Sequence, residues 1–252
     1  MRTLPPALLF DLDDTILSLS GTAMPAWEAL CRRFAGRLGP LDPDSLVAAI
    51  RQANDRFWKN AERQRWTGGD VEGARRSIVA EAFRIAGVDD AATAHASTRD
   101  LAHEMADTFS RERISTIVPF PGAIETLARL RALGRRLALV TNGLSRIQRQ
   151  KIEHFSLGPY FDCIVVEEEF GAGKPNPRVF RHALAALGAT PQQVWMVGDN
   201  LAFDVAGAQQ VDIHAIWHDI RGQGLPAEAG VRPDRIIGGL PELLDTNGEQ
   251  EE

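Results

Sequence analysis

The hydrophobic pattern divides the chain into a helical stretch and a stretch in which strands alternate with helices. A short apolar run, Ala7–Phe10, comes first and is typical of a strand that is buried on both faces. Between residues 17 and 117, apolar positions recur at helical spacing, and no run favours a strand. This stretch predicts one helix after Pro25 and three more over about residues 43–60, 71–86 and 90–109.

Beyond Pro119, short apolar runs alternate with helical segments. The runs predict strands at residues 137–140, 164–166, 194–197 and 213–217, with an edge strand at 235–237. The segments between them predict helices at residues 124–133, 144–155, 177–187 and 204–209, and a last short helix at Pro241. Such alternation indicates an α/β fold with a doubly wound parallel sheet, to which the first apolar run also belongs. We therefore predict an α/β core over residues 1–16 and 118–252 that is interrupted by an all-helical insertion over 17–117.

Three carboxylates follow the first strand within four positions: Asp11, Asp13 and Asp14. Acids clustered at the end of a buried strand repel each other, and a hard cation such as Mg²⁺ would offset that repulsion. Asp11 and Asp13 lie two residues apart, so extended backbone turns them to the same side. Two such carboxylates can act as nucleophile and general acid. The plainer interpretation is an acidic turn in which Asp14 or Thr15 caps a helix.

Polar residues also follow three further strands of the predicted sheet, where sites in such folds form. Thr141–Gly143 offers a hydroxyl, an amide and backbone N–H groups that suit a phosphoryl oxygen, or else simply caps a helix. Lys174 lies between a glycine and a proline on stiff backbone, which suits a fixed positive charge, although an exposed surface lysine is the alternative. Asp199 and Asp204 add two more carboxylates, of which Asp204 could instead cap a helix.

This series of strand ends resembles the four motifs of the haloacid dehalogenase (HAD) superfamily, in its phosphatase branch. The run Asp11–Thr15 is similar to the first motif, Thr141 to the second, Lys174 to the third, and Asp199 with Asp204 to the fourth. About 130 residues separate the first motif from the second, but only about 33 separate the second from the third. The resemblance is therefore to the subgroup with a helical cap between the first two motifs.

The resemblance implies a phosphomonoester hydrolase that works through an aspartyl phosphate. Asp11 is the implied nucleophile. Asp13 is the implied general acid, which later acts as base toward water. Thr141, Asn142 and Lys174 are implied to hold the phosphoryl oxygens, and Lys174 also offsets charge in the transition state.

The resemblance also implies Mg²⁺ as the cofactor. The Asp11 carboxylate, a backbone carbonyl at Asp13 and the Asp199 carboxylate would hold the ion, with Asp204 nearby. The implied substrate is a small phosphorylated metabolite, whose identity the sequence does not give. In the helical insertion, Trp58, Arg65 and Trp66 either bind the non-phosphate end of that substrate or pack between helices.

Three alternatives stay open at this stage. Dehalogenases of the same superfamily lack an acid at the position of Asp13 and need no metal, so that acid argues against them. A phosphomutase would use the same acid pair and return the phosphoryl group to its substrate. A phospho-accepting receiver domain, from a different class, also combines acids, a threonine and a lysine, but it is about half this length.

Composition limits the possible partners. A net charge of −6 argues against a nucleic-acid partner, and no apolar run approaches the roughly 20 residues of a membrane helix. The first apolar run stops at Asp11, too early for a signal peptide. Cys31 and Cys163 have no metal-site spacing, which indicates reduced thiols and a cytoplasmic protein. We expect a monomer or a homodimer.

Overall fold

The computed structural model describes residues 3–59, 71–88 and 96–245. They fall into two compact units. The core unit comprises Met1–Leu19 and Val118–Glu252, and the helical unit comprises Ser20–Ile117. Within the described ranges, no helix combines the length and apolar character needed to cross a membrane. Both cysteines are free thiols.

The core unit is built on a six-stranded parallel sheet. Its order is β5-β4-β1-β6-β7-β8, which confirms the predicted α/β fold with a parallel sheet. A separate antiparallel pair, β2 and β3, lies where the chain leaves and re-enters the core unit. The strands are β1 (Ala7–Phe10), β2 (Leu17–Ser18), β3 (Val118–Pro119), β4 (Arg136–Thr141), β5 (Cys163–Val166), β6 (Val194–Gly198), β7 (His214–His218) and β8 (Arg235–Ile237).

Helices of the core unit connect these strands. The α-helices are Ala123–Ala132, Ser145–His154, Glu167–Phe170, Pro177–Leu187 and Ala206–Gln209. Short 3₁₀ turns lie at Gly158–Tyr160, Pro191–Gln193 and Leu240–Leu243, and a π-helical turn at Leu201–Val205.

Helix Pro177–Leu187 shows how the sequence sets the bounds of a helix. The side chain of Asn176 accepts a hydrogen bond from Arg178 N at 3.0 Å, and Pro177 occupies the first helical position, where its missing N–H is not needed. Gly188 ends the helix with a φ of 56°, a left-handed conformation that glycine adopts without strain. One face of the helix is buried, including Val179 and Phe180, which pack in the same cluster as the sheet residues. Both predicted bounds of this helix are confirmed.

The helical unit contains the four predicted helices, with some shifted bounds. They span Ser20–Phe34, Pro43–Trp58, Val71–Ile85 and Ala96–Thr116, with a 3₁₀ turn at Ala35–Arg37. The first helix contains Pro25 rather than following it, and the fourth runs past the predicted end at residue 109. Asp42 caps the second by accepting from Ser45 N at 2.9 Å. The predicted ends at residues 60 and 90 lie outside the described residues.

One prediction for this stretch is wrong. The sequence favoured no strand between residues 17 and 117, yet Leu17 and Ser18 pair antiparallel with Pro119 and Val118. A two-residue strand is too short to show any alternation of apolar and polar positions. The pairing joins the two points at which the chain enters and leaves the core unit, so only the fold reveals it.

Candidate active site

The site begins at the carboxyl end of β1, in the middle of the sheet. Asp11 directly follows this strand, and its backbone N–H donates to Val197 O of β6 at 2.9 Å. Phe10 stands in register with Leu139 of β4 and with Val197 of β6. The residues that follow these three parallel strands therefore meet at one edge of the sheet.

One cavity of about 210 Å³ occupies this edge, within the core unit. The catalytic, phosphate-binding and metal-binding residues predicted for the core unit all line this cavity. The lining residues are Asp11, Asp13, Asp14, Thr141, Asn142, Lys174, Asp199, Asn200, Phe203 and Asp204.

Lys174 is buried between two carboxylates. Its Nζ lies 2.5 Å from Asp11 Oδ1 and 2.6 Å from Asp204 Oδ1. Burial alone would lower the pKa of Lys174, but the two carboxylates outweigh it and hold that pKa above its ordinary value. Lys174 is only 5% exposed, so the alternative of a surface lysine is wrong. The site thus contains a fixed positive charge beside Asp11.

Asn142 fixes the backbone of Lys174. Lys174 N donates to Asn142 Oδ1 at 2.7 Å, and Asn142 Nδ2 donates to Lys174 O at 2.8 Å. A Cβ on the neighbouring Gly173 would lie 2.5 Å from the Glu167 carboxyl group and 2.9 Å from Asn142 Oδ1. Only glycine fits there without displacing this clamp. Asn142 therefore holds the lysine in place, a contact that the sequence did not predict.

Three carboxylates form a compact group that suits a divalent cation. Asp11, Asp199 and Asp204 each contribute one oxygen, and these atoms lie within 4.8 Å of one another. Burial, and then the charge of Asp204, raises the pKa of Asp11 to about 7, while Lys174 opposes the shift. Burial, and then Asp11 and Asp204, raises the pKa of Asp199 to about 8. A hard cation with oxygen ligands would relieve this repulsion, so the residues fit Mg²⁺.

This crowding of acids predicts how stability responds to pH. The pKa of Asp199 is higher in the folded protein than in the unfolded chain. Between these two pKa values, the folded state therefore keeps a proton on Asp199 that the unfolded chain has lost. The stabilisation that this proton gives is present at low pH and is lost as pH rises toward 8. In metal-free protein, Asp199→Asn should therefore raise Tm at pH 8 by roughly 3–6 °C, and by less at pH 5. Thermal unfolding in chelator at both pH values measures this difference. An equal or opposite shift would contradict the proposed crowding.

The residues around Asp204 correct one prediction. The sequence placed a helix start at Asp204, but the helical turn begins at Leu201 and its cap is Asn200. The Asn200 side chain accepts from Ala202 N and Phe203 N at 3.0 and 2.9 Å, while Asn200 N donates to Asp204 Oδ2 at 3.0 Å. Asp204 therefore does not cap a helix, and its other oxygen faces Lys174. The following turn is π-helical, a geometry that the apolar pattern does not reveal.

A second correction concerns the backbone N–H groups after β4. Gly143 N donates to Glu167 Oε2 at 2.8 Å, and Ser145 N donates to Glu168 Oε2 at 2.7 Å. The N–H group of Gly143, which was predicted to be available to a phosphoryl oxygen, is thus bound by a carboxylate. Both glutamates belong to the short helix Glu167–Phe170. Thr141 itself is among the residues that line the cavity.

Two further residues contact the site, and the sequence analysis missed both. Lys151 Nζ lies 2.7 and 2.6 Å from the two carboxylate oxygens of Asp13. Gln148 Nε2 donates to Asp13 Oδ2 at 3.0 Å and also to Thr141 Oγ1. The sequence feature that could have indicated them is their spacing: a glutamine and a lysine lie three residues apart, on the same helical face as the apolar Ile152.

A comparison with known families agrees with this geometry. The family model described as "haloacid dehalogenase-like hydrolase" matches residues 5–212, which is most of the chain. The chain belongs to this family. The resemblance inferred from the sequence motifs is thereby confirmed.

Similar proteins narrow the enzyme class. Phosphoserine phosphatase from Thermus thermophilus is 31% identical over 252 residues, covering 94% of this chain and 97% of the relative. YfnB from Bacillus subtilis, a magnesium-bound HAD hydrolase, has a TM-score of 0.71 at 22% identity and covers 97% of this chain and 99% of its own. A 2-haloacid dehalogenase from Pseudomonas syringae is 28% identical, with a TM-score of 0.57, and covers 96% and 98%. The predicted class, a phosphatase of the HAD family, is confirmed through the first of these.

Proposed function

We propose that this protein is a Mg²⁺-dependent phosphomonoester hydrolase that acts on a small phosphorylated metabolite through an aspartyl phosphate. The observation that carries the proposal is the arrangement around Asp11. This carboxylate lies at the end of the central strand, 2.5 Å from the buried ammonium of Lys174 and grouped with Asp199 and Asp204. A carboxylate that can act as nucleophile, a fixed positive charge and a group of acids that suits a cation thus line one cavity.

The proposed reaction has two steps. An oxygen of Asp11 forms a bond to phosphorus as the bond from phosphorus to the leaving oxygen breaks, and Asp13 supplies a proton to that oxygen. Asp13 then takes a proton from water, and the water oxygen attacks phosphorus and releases Asp11 with inorganic phosphate. Lys174 offsets negative charge on the phosphoryl oxygens in both steps. Thr141 lines the cavity, and its hydroxyl would donate to one of those oxygens.

The carboxylates of Asp11, Asp199 and Asp204 would hold the cation. When bound, Mg²⁺ supplies positive charge that neutralises these acids and polarises a phosphoryl oxygen. The Asp13 carboxylate lies outside this group and binds Lys151 instead, and proton transfer is the role proposed for its side chain. Asp13 would offer the metal only its backbone carbonyl.

The relatives support a phosphatase more than the alternatives. Family membership removes the receiver domain from consideration, because receivers belong to another class of protein. The dehalogenase alternative is disfavoured because a lysine-bound acid stands at position 13 and three acids converge on a cation site. A phosphomutase would use the same residues, so only the fate of the phosphoryl group separates it from a phosphatase. A cytoplasmic location and a monomer or homodimer remain predictions.

A panel of phosphorylated metabolites tests the proposal. It should contain phosphoserine, which a similar enzyme from Thermus thermophilus is named for, together with sugar phosphates, nucleoside monophosphates and small phosphorylated acids. With Mg²⁺ present, we expect at least one member to release inorganic phosphate in stoichiometric amounts. An isomerised phosphate ester without free phosphate would instead indicate a phosphomutase. If every member stays intact, the proposed function fails.

The helical unit is proposed to choose among these substrates. The sequence left two roles open for Trp58, Arg65 and Trp66, substrate binding and packing between helices. The side chain of Trp58 and the whole of Arg65 and Trp66 lie outside the described residues. Alanine at these positions should change relative rates across the panel more than the rate with a generic aryl phosphate. A uniform effect on every substrate would mean that these residues only pack between helices.

A further inference from the structure

The Asp13 carboxylate is held by two residues of one helix. Lys151 Nζ lies 2.7 Å from Asp13 Oδ1 and 2.6 Å from Oδ2, and it also donates to Gln148 Oε1 at 2.7 Å. An ammonium group has three N–H donors, so these three acceptors satisfy it completely. The side chain of Lys151 is only 7% exposed, whereas that of Asp13 is 24% exposed. The lysine thus supports the carboxylate from the protein side and leaves it open to the cavity that it lines.

Gln148 ties this pair to the hydroxyl beside it. Its Nε2 donates both to Asp13 Oδ2, at 3.0 Å, and to Thr141 Oγ1, while its Oε1 accepts from Lys151. The spacing of three residues brings Gln148 and Lys151 to the same face of helix Ser145–His154. That helix follows β4, the strand that ends in Thr141. One helix therefore fixes the position of Asp13 relative to Thr141.

A buried lysine on this face requires an explanation. Removing an ammonium group from water costs several kcal/mol, and an apolar residue of similar size would pack on the helix without that cost. The only carboxylate that the structure places within 4.0 Å of Lys151, among the described residues, is that of Asp13. Lys174 likewise forms ion pairs with the carboxylates of Asp11 and Asp204. The two reacting carboxylates thus have separate cationic partners, which keeps the Asp13 side chain out of the Asp11–Asp199–Asp204 group.

We propose that Lys151 and Gln148 are positioning residues for proton transfer to the leaving group. They hold the Asp13 carboxyl group away from the metal-binding acids and toward the cavity, where the leaving oxygen of the substrate arrives. This inference rests on the proposed phosphatase function and adds to it. Neither residue needs to touch the substrate, because both act through Asp13.

The leaving group of the substrate tests this role. A p-nitrophenolate ion leaves with little help from a proton, whereas an alkoxide needs one, and general acid catalysis contributes roughly 10²–10⁴-fold. In Lys151→Met, the first-turnover rate should fall about 100-fold with the alkyl phosphate that the wild type hydrolyses best. With p-nitrophenyl phosphate, the burst of nitrophenolate should slow by less than about 5-fold. Lys151→Arg should recover part of the alkyl rate.

A matched control and a double variant separate positioning from stability. Arg149→Met removes a cation from the exposed side of the same helix, where Arg149 pairs with Glu169, and should leave both rates unchanged. If Lys151 acts through Asp13, then Asp13→Asn combined with Lys151→Met should be no slower on the alkyl substrate than Asp13→Asn alone. Gln148→Leu, a substitution of similar size, should give the same difference between leaving groups even if Lys151→Met does not fold.

Distinct outcomes overturn the inference. Equal losses with both leaving groups, or no loss with either, would show that Lys151 has only a structural role. A further loss when Lys151→Met is added to Asp13→Asn would show that the lysine acts independently of Asp13. A wild type that hydrolyses neither substrate would instead defeat the proposed function, and this inference with it.

Discussion

Asp11→Asn should reduce phosphate release by at least about 10⁴-fold, because it removes the oxygen that is proposed to attack phosphorus. Losing a nucleophile that acts together with its neighbours costs several orders of magnitude in kcat. Lys174, Asp199 and Asp204 would remain, but they can only orient and polarise the substrate. The measurement is steady-state phosphate release from the best substrate of the panel, with thermal unfolding to show that the variant is folded.

The fold should survive this substitution, which makes the loss interpretable. Burial and neighbouring acids raise the pKa of Asp11, so a neutral amide relieves repulsion even as it gives up the ion pair with Lys174. Asp212→Asn is a matched control, since Asp212 is exposed and its φ of 61° is one that asparagine tolerates. Activity within about 10-fold of wild type in Asp11→Asn would exclude Asp11 as the nucleophile.

Removing divalent cations should abolish activity as completely as removing the nucleophile. Asp11, Asp199 and Asp204 crowd their oxygens within 4.8 Å, and without a cation their repulsion keeps protons on the site. We expect EDTA to stop phosphate release and Mg²⁺ to restore it. Excess Ca²⁺ should inhibit, because Ca²⁺ takes more ligands at longer and looser distances than Mg²⁺ does.

The cation also provides a readout that does not depend on turnover. Mg²⁺ should raise the Tm of the wild type, because a ligand that binds the folded state stabilises it, and should raise the Tm of Asp199→Asn much less. In chelator at pH 8, the Tm of Asp199→Asn should be higher than that of the wild type. Full activity in chelator would contradict the cation site and reopen the dehalogenase alternative, which halide release from a 2-haloacid would then test.

The sequence predicts the parallel sheet and the residues at its edge because both depend on local patterns. A four-residue apolar run such as Ala7–Phe10 can hardly be other than a buried strand, and polar residues directly after such runs are brought together by the parallel sheet. Asp11, Thr141 and Asp199 could be placed in one site by that argument alone. Lys174 was counted with these strand ends as well, although it lies in a turn beyond the short helix that follows β5.

The missed contacts of Asp13 with Lys151 and of Gly143 with Glu167 are long-range ones. Lys151 and Asp13 are 138 positions apart, and nothing local distinguishes Lys151 from a surface lysine on an amphipathic helix. Glu167 likewise lies in a run of three acids that suggests solvent exposure, until the fold brings it within 2.8 Å of Gly143 N. The cap at Asn200 was missed because a π-helical turn lacks the 3.6-residue period.

Trapping the phosphorylated enzyme tests the central claim most directly. Wild-type protein should be mixed with its best substrate and Mg²⁺, quenched in acid within one turnover, and reduced with borohydride, which converts an aspartyl phosphate to homoserine. We expect mass spectrometry of the digested protein to find homoserine at position 11 and aspartate at positions 13, 14, 199 and 204. Homoserine at another of these positions, or at none while phosphate is released, would contradict the assignment of Asp11 as the nucleophile.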